Sequence, residues 1–415
     1  MSIPVAKAVP YSSEMAAPAV VAVSADPVVA AAYERGREFL RGHGWASGMI
    51  EEMIRSIQCM PHRFFILDDS GSMSSFDGKR KPREGNKMVQ CSRWDELTAS
   101  MEFHSEFAAA ASATCEFRLL NRGDPIVIGD QEDNSRSLAE FKSVMARGPN
   151  GGTPLCAHIR AVVERITAMA PQLRARNQKV SLTIATDGQA TDGDIVEAMR
   201  PLKNLPVWTV IRLCTVDDAI VSYWNKIDED LELGLDVLGD LVGVAKEVTD
   251  HNPWLTYGEA LHRMREFGTE RKELDRLDEA QLNPGEVRAV LAIILGGAVS
   301  DYPDPMCDYR AFINKVKIEN EGQAKVWCPQ QQRDCDCVNM RKLDKESKWI
   351  SSFAFLSLCM LVSLIVALVI SYGSGFNRGG TGVGGGSPVD GGRRYPSSGG
   401  GGFAGGGFQD FTGGL

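Results

Sequence analysis

Residues 63–73, RFFILDDSGSM, constrain this chain more than any other stretch. The run is apolar up to Leu67 and then turns abruptly to aspartate and serine. A short apolar run bounded in this way predicts a buried strand that ends at Leu67. Asp68, Ser70 and Ser72 leave the strand end as closely spaced hard oxygen donors. Such oxygens suit Mg²⁺, Ca²⁺ or Mn²⁺ and do not suit zinc or copper. The same residue types also cap helices and make turns, so this stretch alone leaves both readings open.

Other apolar runs follow at intervals, separated by helical patterns. Strands are expected at 114–120, 125–128, 180–187 (VSLTIATD) and 206–213 (PVWTVIRL). Helices are expected over 92–110, 138–147, 155–169, 194–202 and 236–248, the first with Trp94, Leu97, Met101 and Phe107 on its buried stripe. Residues 74–86 are polar and on balance basic, with Lys79, Arg80, Lys81 and Arg83 against Asp77 and Glu84, and read as an exposed loop. Strands alternating with helices of this length imply an α/β fold, a doubly wound and mostly parallel sheet flanked by helices. Ligands of such sheets bind outside the carboxyl ends of the strands.

Two more motifs fall at expected strand ends or loops. Gly151, Gly152, Thr153 and Pro154 precede a helix, where Pro154 pre-sets the first turn and the glycines let the backbone bend. Thr186, Asp187 and Gly188 end the strand at 180–187. Asp-x-Ser-x-Ser followed by Met, then Gly-Gly-Thr-Pro, then Thr-Asp-Gly, in that order, resembles the metal-ion-dependent adhesion site of von Willebrand factor type A (VWA) domains. The resemblance covers residues 60–250, somewhat under half of the chain. It implies that Ser70, Ser72 and Thr153 offer hydroxyl ligands to Mg²⁺, with Mn²⁺ or Ca²⁺ as alternatives, and that Asp68 and Asp187 act directly or through water. It further implies a protein partner whose carboxylate completes the ion's coordination. Two carboxylates roughly cancel a divalent charge, which leaves the ion Lewis-acidic toward an outside oxygen. The chain departs from the family at Asp69, often apolar or small there; a second carboxylate could face solvent or compete for the ion.

Catalysis is not expected. The Asp-x-Asp pattern of phosphoryl chemistry is absent at the first strand end, where Ser70 takes the second position. No phosphate loop and no Gly-x-Ser-x-Gly elbow occurs. The six histidines are scattered, and His158 reads as an ordinary helix residue. A net charge of −9 argues against a nucleic-acid surface. The basic run from Lys79 would favour an acidic partner if it lies at the rim of the site.

The remainder divides by composition. Residues 1–30 read as a disordered leader, 31–60 as a helical lead-in, 61–250 as the VWA-like domain, and 251–345 as a helical, cysteine-containing juxtamembrane region. Residues 349–372 carry no charge and match the about 20 residues of a single transmembrane helix. Residues 373–415 are glycine-dominated and read as a disordered tail. Arg333, Arg341, Lys342, Lys345 and Lys348 precede the apolar stretch, which predicts a cytosolic domain and a tail across the membrane. Cys307, Cys328, Cys335 and Cys337 admit a Zn²⁺ site, disulfides if the topology is reversed, or no ligand role. A competing function is a membrane-tethered scaffold whose ion is structural and whose glycine-rich tail carries the interaction.

Overall fold

The computed structural model describes residues 26–82, 85, 87–231, 235–346, 360 and 362–366. Those up to 346 belong to one compact unit, and those from 360 onward to a second.

Helices α1 (Pro27–Gly42) and α2 (Ser47–Cys59) lead into strand β1 (His62–Leu67) and a 3-10 turn (Gly71–Ser74). A small hairpin of β2 (Gly78–Arg80) and β3 (Val89–Cys91) follows, then α3 (Arg93–Ala111), β4 (Thr114–Leu119) and β5 (Arg122–Ile128). The chain continues through α4 (Ser135–Met145), α5 (Leu155–Ala175), β6 (Val180–Thr186), α6 (Ile195–Met199), β7 (Val207–Leu213), α7 (Asp218–Leu231) and β8 (Asp236–Leu238). Helices α8 (Leu241–His251), α9 (Glu259–Glu266), α10 (Lys272–Asp275), α11 (Pro284–Leu295) and α12 (Tyr309–Glu321) precede a last hairpin, β9 (Val326–Cys328) and β10 (Arg333–Cys335).

The main sheet has six strands in the order β5-β4-β1-β6-β7-β8. Neighbours pair parallel except β5, which runs antiparallel to β4. Strand β1 is where the order reverses: chain progress runs to β4 and β5 on one side and to β6, β7 and β8 on the other. The crevice at such a switch point, at the carboxyl ends of the strands, is the natural place for a ligand.

Both faces of the sheet are covered, which explains the near-continuous apolar runs of β1 and β6. Phe65 and Leu67 face a core shared with Met101 and Phe107 of α3. Phe64 and Ile66 face a second core with Ile159 and Val162 of α5 and Trp224 of α7. The first core also takes Leu40, Met53 and Ile54 from the segment before residue 60, and Met264, Phe267, Val290 and Phe312 from beyond residue 250. Those flanking segments are thus packed on the sheet as parts of one body.

Buried charges fasten the flanks to the sheet. Arg212 of β7 donates to Glu266 of α9 at 2.8 Å and also pairs with Glu96 of α3. Arg265 donates to Asp236 of β8 at 2.8 Å. Arg63 is fully buried and donates to the carbonyls of Met60 and Phe267 and to the Ser56 hydroxyl. Burial without a carboxylate partner pushes its guanidinium down to about 10.

Two sequence expectations are corrected here. Residues 236–248 are not one helix: the short edge strand β8 comes first, and Asp240 then caps α8 by accepting from the amides of Val242 and Gly243. Residues 74–86 are not simply a loop, because β2 lies within them and pairs with β3 just beyond. Gly78 lets this hairpin lie against α3, since a Cβ at that position would sit 2.8 Å from the Ser92 carbonyl oxygen. The predicted span at 349–372 lies outside the described residues except for 360 and 362–366, which are helical and exposed. Among the described residues no helix is long and apolar enough to cross a membrane. The tail at 373–415 and residues 1–25 also lie outside the described residues.

Candidate metal site

Strands β1 and β6 deliver the first and third motifs to the same edge of the sheet. Their parallel register ends at Leu67 and Ala185, and the Asp68 amide continues it by donating to the Ala185 carbonyl at 2.8 Å. Asp68 is fully buried there. Its Oδ1 accepts the Ser70 amide at 2.9 Å and its Oδ2 accepts the Thr186 hydroxyl at 2.7 Å. Burial pushes the Asp68 carboxyl above its ordinary range; bonds from Ser70 and Thr186 oppose that, and the nearby Asp187 charge adds to it.

The hydroxyls connect the two aspartates. Ser70 Oγ and Ser72 Oγ lie 2.9 Å apart, and Ser72 Oγ donates to Asp187 Oδ1 at 2.8 Å. One hydrogen-bonded chain therefore runs through Asp68, Ser70, Ser72 and Asp187. Thr153 is buried, and its loop is bound to the first motif at two points. Gly71 N donates to the Gly151 carbonyl at 3.1 Å, and Asn150 N donates to the Asp69 carbonyl at 2.6 Å. Gly151 adopts φ +112°, and a Cβ on it would lie 2.4 Å from Asn121 Oδ1. Only glycine fits that approach of the Thr153 loop. The other end of the loop is pinned by Asp192, whose carboxylate accepts from the amides of Cys156 and Ala157 in the first turn of α5.

Asp69 neither faces solvent nor enters this chain of bonds. Its side chain is fully buried, and Oδ1 accepts both the backbone and the side-chain amide of Asn121 at 2.9 Å. Oδ2 forms an ion pair with Arg122 Nε at 3.2 Å. The unusual second aspartate thus ties the strand end to the β4–β5 turn.

Arg93, at the start of α3, is the participant that the sequence did not single out. Its Nη1 donates to Asp187 Oδ2 at 2.8 Å, while Nε and Nη2 grip Asp77 at 2.7 and 2.6 Å. These bonds raise the guanidinium further and hold the Asp77 carboxyl below its usual range. Through Asp77 the base of the β2–β3 hairpin lies beside the site. Lys79 and Arg80 of that hairpin are exposed, Lys81 stands over the Trp327 ring at 5.3 Å, and Arg83 lies outside the described residues. Exposed Phe76 stands next to Asp77.

The donor chemistry fits a divalent cation. Two carboxylates close enough for one to raise the other's pKa, with hydroxyls bridging them, make a site of hard oxygens in which Arg93 pairs with Asp187. Among the described residues no three His, Cys, Asp or Glu side chains gather around one point. An ion held here would rely on the hydroxyls of Ser70 and Ser72 as well as on the carboxylates, with Thr153 buried in the adjoining loop.

No family model and no curated protein matches this chain. Among solved structures it is similar to the crystal structure of the SpRpn10 VWA domain, at 12% identity and a TM-score of 0.29, over 43% of this chain and 87% of that chain.

The four cysteines between 307 and 337 do not gather at one point. Cys328 and Cys335 lie on the two strands of the β9–β10 hairpin, where Cys328 pairs with Arg333 and Cys335 with Val326, and burial raises the Cys335 thiol. Cys337 is buried and donates to the Ala324 carbonyl at 3.6 Å, with its thiol pushed up to about 12 by burial. Cys307 is exposed. His158 lies on α5 with Nε2 at 3.1 Å from the Leu120 carbonyl, and burial lowers its pKa.

Proposed function

We propose that this chain is a binding protein, not an enzyme, and that its sheet edge holds Mg²⁺, with Mn²⁺ or Ca²⁺ as alternatives. Asp68 and Asp187 would supply the charge and Ser70, Ser72 and Thr153 the neutral oxygens, as in the VWA adhesion site that the three motifs resemble. A divalent ion so held would offer a Lewis-acidic position to an outside oxygen. The partner class is a protein presenting a carboxylate, with specificity set by the rim around Phe76 and the basic β2–β3 hairpin. The single observation that carries this reading is the bond chain from Ser70 through Ser72 to Asp187, which joins two motifs at the switch point of the sheet.

The chain's own residues do the positioning. Thr186 and the Ser70 amide fix the Asp68 carboxylate, and Gly151 brings the Thr153 loop against Gly71. The test is titration of the full-length protein with Mg²⁺ and Mn²⁺, wild type against Asp187→Ala. Saturable binding lost in the variant supports the reading, and equal heats reject it.

The uncharged stretch at 349–372, preceded by Arg341, Lys342, Lys345 and Lys348, supports a single membrane anchor with the folded unit on the cytosolic side. Protection of the tail from protease in sealed vesicles tests that topology.

A second reading is favoured by Arg93. With its guanidinium on Asp187, the site already has a cation, and the unit could serve as a membrane-tethered scaffold whose tail at 373–415 carries the interaction. Deleting the tail separates the two: the scaffold loses its partner, and the ion-bridged protein keeps it in Mg²⁺ and loses it in chelator.

A further inference from the structure

We propose that Arg93 is a tethered competitor of the divalent ion, occupying the outer oxygen of Asp187 and withdrawing onto Asp77 when the ion takes that oxygen. The inference rests on the metal-site reading above. It names the residue that sets how tightly an ion is held.

The geometry around Asp187 carries it. The Asp187 side chain is completely buried, and its two oxygens are both engaged, Oδ1 by Ser72 and Oδ2 by Arg93. A buried carboxylate requires a compensating charge, and Arg93 is the cation bonded to it. An ion bridging Ser70, Ser72 and Asp187 would stand against the same carboxylate, and two cations sharing one small anion repel each other. One of them has to yield.

Arg93 has somewhere to go. Asp77 holds it through Nε and Nη2, a two-pronged grip that does not involve Nη1. Asp77 is 41% exposed, so a guanidinium retained there alone keeps contact with water. The backbone need not move. Arg93 N donates to the Ser75 carbonyl at 3.0 Å, and the preceding Ser92 is locked in a capping box with Asp95. Only the side chain has to swing. Because guanidinium stays charged at all ordinary pH values, this competition is set by geometry and not by protonation.

The two carboxylates that share Arg93 make opposite predictions. Arg93→Gln removes the competitor and should tighten Mn²⁺ binding by about tenfold, the scale of a partly buried ion pair. Asp77→Asn removes the alternative resting place, leaves Arg93 to Asp187, and should weaken Mn²⁺ binding. General damage to the site would weaken both.

The experiment is calorimetric titration of Mn²⁺ into the full-length wild type, Arg93→Gln and Asp77→Asn, with melting temperatures in chelator and in Mn²⁺. The expected result is tighter binding in Arg93→Gln, weaker binding in Asp77→Asn, and a larger Mn²⁺-induced rise in melting temperature for Arg93→Gln than for wild type. If the wild type binds Mn²⁺ and Arg93→Gln binds no more tightly, the competitor role is overturned while the metal site stands. If neither binds, both fail. Should Arg93→Gln not fold, Asp77→Asn decides: unchanged or tighter binding overturns the inference.

Discussion

Ser72 Oγ donates to Asp187 Oδ1 at 2.8 Å, across 115 positions of sequence. That one bond connects the loop after β1 to the end of β6. It exists because the two strands are parallel neighbours at the point where the sheet order reverses. The strands that lead to these oxygens are packed between two apolar cores.

Asp69 is expected to be structural. Asp69→Ala removes an anion that is fully buried and paired with Arg122 and Asn121. Leaving those groups unmatched should cost about 3 kcal/mol. Urea unfolding should show a lower midpoint with an unchanged slope. A variant as stable as wild type would contradict this placement.

Gly151→Ala should be damaging out of proportion to its size. The position has φ +112°, and the added Cβ would meet Asn121 Oδ1 at 2.4 Å. Backbone strain of this kind costs roughly 1–3 kcal/mol. The Gly151 carbonyl also holds the Gly71 amide, so ion affinity should fall along with the melting temperature. Gly152→Ala, whose Cβ would lie 3.8 Å from Thr191 Oγ1, should be mild by comparison.

Arg212→Met should destabilise strongly. Arg212 lies buried between Glu96 and Glu266, and its removal leaves two carboxylates inside the protein without their cation. A loss of about 3–5 kcal/mol is expected. Because Glu266 belongs to α9, hydrogen exchange should rise in α9 as well as at β7. Protection that remains unchanged in α9 would show that its attachment rests on apolar packing alone.

The buried histidines predict acid lability well above the carboxylate range. Burial lowers His262 to about 3 and lowers His104 as well. Both therefore stay neutral in the fold while the unfolded chain protonates near 6.5. The unfolded state then binds more protons, so stability is complete above about pH 6.5 and falls as the pH drops toward about 3 for His262. Between those limits His262 contributes a slope of about 1.4 kcal/mol per pH unit. His262→Gln should flatten the decline between pH 6 and 4 in denaturant titrations, and an unaltered slope would count against neutral burial.

The fold was readable where burial is two-sided. The strands β1 and β6 are covered on both faces, so their apolar runs stand out, and the three motifs fall at their ends or in the adjoining loop. Strand β8 is hidden in a helical pattern because Asp236–Leu238 is too short to display a period of two. The β2–β3 hairpin was hidden because its polar residues look like a loop and its packing depends on a glycine against α3. Asp69 was visible as a departure, but its partners Asn121 and Arg122 come from a distant turn. Arg93 was not visible at all: it reaches Asp187 across 94 positions, and nothing about an arginine after a capping serine announces that contact. The placing of Cys328 and Cys335 on facing strands was equally illegible, since it follows from the register of a short hairpin.

In the proposed site Ser70, Thr153 and Asp187, carried by three separate segments, act together on one divalent ion. The most direct measurement is calorimetry of Mg²⁺ and Mn²⁺ binding to the full-length wild type, Thr153→Ala and Asp187→Ala. One saturable site is expected in the wild type, weaker binding in Thr153→Ala, and none in Asp187→Ala. Wild-type binding that survives both substitutions unchanged, or no binding in any of the three, would contradict it.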